Sequence, residues 1–161
     1  MNHFGKSIFL WGLISLVGYG VYQFLLTDPN FPNPMILWSV LTVIGVAAML
    51  KWVPNAMKLD VVKVWLLISV LGMVYHWLAV WKIVPLFFKA WGYWALLMAI
   101  GFLATGYTWK PRSKFYYGVG VLNAIAFVLI AFFPSVVGMY GSALLAIVTG
   151  VPLLYDGWKT K

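Results

Sequence analysis

Long apolar runs, broken at near-regular intervals by proline and short polar clusters, dominate this chain. Six of them are close to the ~20 residues that an α-helix needs to cross a hydrocarbon core. They fall at about 7–26, 35–53, 61–81, 90–109, 115–133 and 136–155. Pro29, Pro32 and Pro34, then Pro54, Pro85, Pro111 and Pro134, stand between them. Proline lacks the amide hydrogen and clashes with the preceding turn, so each reads as a helix boundary. Asp60 is placed to cap the third helix. Pro152 lies near the end of the sixth, where a kink or early stop is expected. Runs such as 122–133 are apolar on every side and lack the two-residue alternation of a membrane β-barrel. The expected fold is all-α: a polytopic six-helix bundle forming a single transmembrane domain over residues 1–161.

The Lys and Arg positions give this arrangement an orientation. With the amino terminus inside, nine of the 11 basic residues lie on the inner side: Lys6, Lys51, Lys58, Lys63, Lys110, Arg112, Lys114, Lys159 and Lys161. Lys82 and Lys89 lie outside, a split that follows the positive-inside rule. The ten tryptophans agree. Trp11, Trp52, Trp65, Trp109 and Trp158 fall near inner ends, and Trp38, Trp77, Trp81, Trp91 and Trp94 near outer ends. An indole, apolar in body and polar at its N–H, favours those two belts. Lys6, the following apolar run and Gly18-Tyr19-Gly20 resemble a secretion signal, but the run continues to Leu26, so an uncleaved first helix is expected. The expected location is the cell membrane, multi-pass, with both termini cytoplasmic.

Composition supports a lipid surrounding. Apolar residues make up 64% of the chain and charged ones 9%, against about half and a quarter in soluble domains. A fold of this size could not hide that much apolar surface from water. The net charge of +8 is scattered between apolar blocks without a nucleic-acid motif. It fits membrane topology and anionic headgroups, so the bilayer is the expected partner and nucleic acid is not. The absence of cysteine removes disulfides, thiolate nucleophiles and Cys-based metal sites.

Matching features recur along the chain. Pro32 and Pro111, Pro54 and Pro134, and Trp81-Lys82 and Trp158-Lys159 are 79, 80 and 77 residues apart. Two three-helix halves at this spacing would face opposite ways, the inverted repeat of many transporters.

Candidate chemistry is sparse. Asp28, Asp60 and Asp156 sit at segment ends or in loops, which argues against a carboxylate-driven pump. His76, in the outer part of helix three, shares a face with Ser69, Gly72 and Ala79. It is a candidate ligand contact, as are Ser69 and the outer aromatics Tyr75, Trp77, Trp38 and Trp94. An aromatic cage of this kind suits a flat ring or an organic cation. Residues 27–34 could cover such a site. Asn123, near mid-depth in helix five, must find a partner or line a pathway. Gly138, Ser142, Ala146 and Gly150 recur every four residues on helix six and read as a close-packing face, toward a neighbouring helix, a second copy of this chain or another subunit. No cofactor fingerprint, metal-ligand group or nucleophile–base set is present, so no cofactor and no metal are expected.

The function expected from these features is transport or binding of a neutral or weakly cationic small molecule. The alternatives are a non-catalytic subunit of a larger membrane complex, and a lipid-modifying enzyme centred on His76.

Overall fold

A computed structural model describes residues 1–25, 35–85 and 89–160, with side chains described except at 24–25 and 89–91. The loop at 27–34, expected as a cover, and the Trp91 side chain lie outside the described residues. Every regular element among the described residues is helical. Four long helices are α1 (His3–Leu25), α2 (Met35–Trp52), α3 (Asp60–Val80) and α4 (Lys89–Thr108). A 3₁₀ turn, Lys110–Arg112, leads into α5 (Ser113–Phe132). Three shorter helices follow: α6 (Pro134–Val137), α7 (Gly141–Leu145) and α8 (Val151–Lys159). A π-helical segment, Ala146–Gly150, joins the last two. Among the described residues five helical stretches are long and apolar enough to cross a membrane: 3–23, 35–52, 60–80, 110–132 and 141–159.

Several ends differ from the sequence pattern. Asp60 is the first residue of α3 and Leu59 holds the cap position, so the carboxylate meets the positive end of the helix without accepting a side-chain cap bond. The ion pair of Asp60 with Lys63, at 2.9 Å, occupies it instead. Pro134 opens α6 rather than simply ending α5, since proline is well suited to a first turn. Gly138 then breaks the chain, with φ +57°, a conformation that a side chain strongly disfavours. The expected sixth helix therefore starts at Gly141, and it runs on past Pro152 to Lys159. Pro152 does not stop it, because it lies in the first turn of α8, directly after the π segment. Lys82 closes α3 with φ +59°. Its N–H donates to Ala79 O and that of Ile83 to Leu78 O, each at 2.9–3.0 Å, the paired bonds of a Schellman motif.

The chain forms two compact units, residues 1–57 with 142–161, and residues 58–141. In the first, α1 lies against α2 on one side and against the π segment and α8 on the other. Glycines set both contacts. A Cβ at Gly45 of α2 would stand 2.8 Å from the Trp11 ring, and one at Gly18 of α1 would stand 2.8 Å from Trp38. On the other side, Gly5 and Gly12 of α1 meet Gly157, Leu154 and Gly150 at backbone distance. Lipid tails are as apolar as leucine, so van der Waals contact of this kind, rather than hydrophobicity, holds such helices together.

In the second unit α4 lies against α3 and, more extensively, against α5. Gly120 of α5 receives Leu103, and Gly106 of α4 receives the Tyr117 ring. Phe102 stacks on Tyr116 at 6.0 Å, and Trp65 of α3 meets Phe102 edge-on at 4.9 Å. The faces without such contacts stay apolar and exposed: Val43 is 67% exposed and Leu71 58%. In water these faces would be costly; in hydrocarbon they are at home.

Candidate functional site

The most developed polar arrangement lies where α3 crosses α4. Gly72 makes it geometrically feasible. A Cβ there would stand 2.7 Å from Leu97 and 3.0 Å from the Trp94 ring, so the missing side chain lets the indole of α4 lie close on α3. One turn further along α3, His76 is reached by that indole. Trp94 Nε1–H donates to His76 Nδ1 at 2.8 Å, and both residues are buried. The bond fixes the tautomer: a neutral imidazole that accepts at Nδ1 carries its proton on Nε2, leaving that nitrogen as a donor.

Tyrosines complete the cluster. Tyr93 stands edge-on to His76 at 6.4 Å and to Trp94 at 5.7 Å, and Tyr75 lies 4.9 Å from Tyr93. The Tyr75 hydroxyl donates to the carbonyl of Pro85 at 2.5 Å, tying the chain after α3 to this corner. Tyr93 is oriented toward the Gly72 carbonyl at 3.5 Å, too long for a strong bond. The result is a histidine donor nitrogen among aromatic faces, suited to a solute with a flat or cationic body and one hydrogen-bond acceptor.

Of the residues singled out from sequence, Tyr75, His76 and Trp94 come together here. Trp77 pairs instead with Trp81, the residue just after α3, at 5.6 Å, and Ser69 is half-buried two turns before His76. Trp38 belongs to the other unit, where it packs on Tyr19 at 4.5 Å. Asn123 is wholly buried in α5 and donates from Nδ2 to the Val119 carbonyl, 3.0 Å away in its own helix.

The small-residue face of the last span is divided. Ser142, Ala146 and Gly150 are buried in the first unit. Ser142 donates to the Tyr19 carbonyl at 2.6 Å, the Gln23 side chain accepts from Ala143 N–H at 3.2 Å, and Gly150 sits against Leu16 and Gly12. This face is covered by α1 of the same chain. Gly138 does not share it; it lies outside, at the break before α7.

One polar position differs from the sequence expectation, and another takes part in a contact between helices. Asp156, expected at a segment end, is wholly buried inside α8, because the helix passes Pro152 instead of stopping there. Thr105 donates to the Gly101 carbonyl of its own helix at 2.8 Å, and it also accepts from Trp65 Nε1 at 2.9 Å, joining α3 to α4. A visible signal for the α1–α8 contact is the seven-residue spacing of Gly5 with Gly12 and of Gly150 with Gly157.

No family model, no curated protein and no solved structure matches this chain.

Proposed function

We propose that this chain is a six-span protein of the cell membrane, with both termini cytoplasmic, that captures or transports a neutral or weakly cationic small molecule at the aromatic cluster around His76. The observation that carries the reading is the buried Trp94–His76 hydrogen bond, which turns the imidazole into a fixed donor among aromatic rings. In this reading α4, 20 residues long, is the sixth span beside the five apolar stretches. The nine-to-two split of basic residues supports the orientation.

An inverted repeat supports a transport role. In one unit the first helix lies between the second and the last; in the other the fourth lies between the fifth and the third. Exchanging helices one, two and three for four, five and six maps one pattern onto the other. Matching contacts accompany it: Leu16 packs on Gly150 and Leu97 on Gly72. Leu97 follows Leu16 by 81 residues and Gly150 follows Gly72 by 78, close to the spacing of the prolines.

The test is a solute panel against the purified protein in detergent, read by tryptophan fluorescence and thermal shift, with His76→Ala and Trp94→Phe as variants. Binding that the parent shows and His76→Ala loses supports the reading. Binding that is indifferent to both substitutions sinks it.

A second reading, a non-catalytic subunit of a larger membrane complex, is favoured by Asn123, whose amide is wholly buried in helix packing and donates to the Val119 carbonyl. Gentle purification separates the two: a stoichiometric membrane partner supports the second reading, and a lone monomer removes it.

A further inference from the structure

We propose that the turn between α4 and α5 is a binding site for an anionic phospholipid, its headgroup phosphate on Lys110, Arg112 and Lys114 and its chains on the adjoining faces of α4 and α5. Three cations within five residues are concentrated at one end of a tightly packed helix pair. Asp60, the acidic residue of this unit, is engaged with Lys63, and residues 89–132 contain no acid. The two helices joined by the turn thus bring three cations and no carboxylate to this end of the pair. A phosphate at the headgroup level has the opposite sign and the right depth.

The surroundings favour a lipid over a soluble anion. Lys110 Nζ lies 4.7 Å from the centre of the Tyr107 ring, which holds the ammonium at the edge of the apolar region. Tyr107 is 68% exposed and Tyr117 39% exposed. The Tyr117 ring rests where Gly106 leaves room, so the two helices present a joined surface. From there exposed apolar side chains run back along both helices: Leu103 and Ile100 on α4, Val121 and Ile125 on α5. A phosphate alone uses the cations and leaves this surface unused, whereas a diacyl lipid uses both.

The test measures thermal stabilisation of the full chain in detergent on adding phosphatidylglycerol, phosphatidylcholine or inorganic phosphate, together with lipid retention by native mass spectrometry. Phosphatidylglycerol is expected to stabilise and co-purify, and the other two are not. Each cation near an anionic surface is worth about fivefold in affinity, from ~1 kcal/mol per Lys or Arg. K110Q/R112Q/K114Q should therefore weaken binding on the order of 10²-fold, while Lys58→Gln, elsewhere in the unit, changes it little. If the triple variant does not fold, Arg112→Gln and Lys114→Gln alone should each cost about fivefold, and high salt should weaken the parent's binding. Equal binding by parent and variants, equal stabilisation by phosphatidylcholine, or full stabilisation by inorganic phosphate would each overturn the proposal.

Discussion

Gly157→Ala adds one methyl group at the place where α8 meets α1, and the structure sets its cost. The new Cβ would press on the Phe9 backbone nitrogen, and would stand 2.7 Å from Phe9 Cα and 2.8 Å from the Gly5 carbonyl oxygen. Comfortable contact needs about 3.5–4.0 Å, so the crossing must open by roughly 1 Å. All three atoms belong to the backbone, and no side-chain rotation makes room. Overpacking of this kind costs about 1–3 kcal/mol. The better helix propensity of alanine returns about 1 kcal/mol, leaving a net loss of about 0–2 kcal/mol. Gly118→Ala is the control: it lies inside α5, and among the described residues, its own helix backbone and chain neighbours aside, no atom comes within 4 Å of where its methyl group would stand. There the propensity gain stands alone. The propensity gain is common to both variants, so at about 2–4 °C per kcal/mol for a chain of this size the two melting temperatures should differ by about 2–12 °C, with Gly118→Ala the higher. Tryptophan fluorescence during thermal unfolding in mild detergent reads both. Phe9→Ala should not rescue Gly157→Ala, since the clash is with Phe9 backbone. A Gly157→Ala protein that melts as high as Gly118→Ala, or one rescued by Phe9→Ala, would refute the reasoning.

Three further outcomes rest on other contacts. Trp94→Phe keeps an aromatic ring but removes the N–H given to His76; a loss of about 0.6–1.7 kcal/mol is expected, the range for hydrogen bonds between membrane helices, measured by the same melts. Thr105→Val removes the acceptor of Trp65 Nε1 while keeping the volume, and should cost a similar amount with a shift in tryptophan emission. Lys82→Gly relieves a left-handed residue at the end of α3 and should stabilise by about 0.5–1 kcal/mol, whereas Lys82→Val should destabilise.

The helical spans are legible in the sequence because an apolar run of fixed length, closed by proline, has few other solutions in lipid. The details that differ share a cause. Pro134 and Pro152 read as ends, yet a proline is equally at home in a first turn, and only the course of the backbone tells which. That ambiguity hides Asp156, which lies within a helix that the pattern ends before it. It also places Gly138 on a helix face, although its φ of +57° lies outside any helix. The site shows a different limit. His76, Tyr75 and Trp94 are each visible as aromatic or polar groups at one depth, but so are Trp38 and Trp77. Which rings converge depends on which helices touch. Here that is decided by Gly72, whose missing Cβ admits Trp94, and periodicity along one helix carries no information about its neighbour.

An even number of crossings is the central claim, and the cysteine-free chain allows it to be measured directly. Single cysteines at Asn2, Lys82, Lys110 and Thr160 would be exposed to a membrane-impermeant thiol reagent on intact cells and then on opened ones. Position 82 is expected to label on intact cells, and positions 2, 110 and 160 only after opening. Labelling of 160 from outside while 2 stays protected, or of 82 and 110 from the same side, would contradict it.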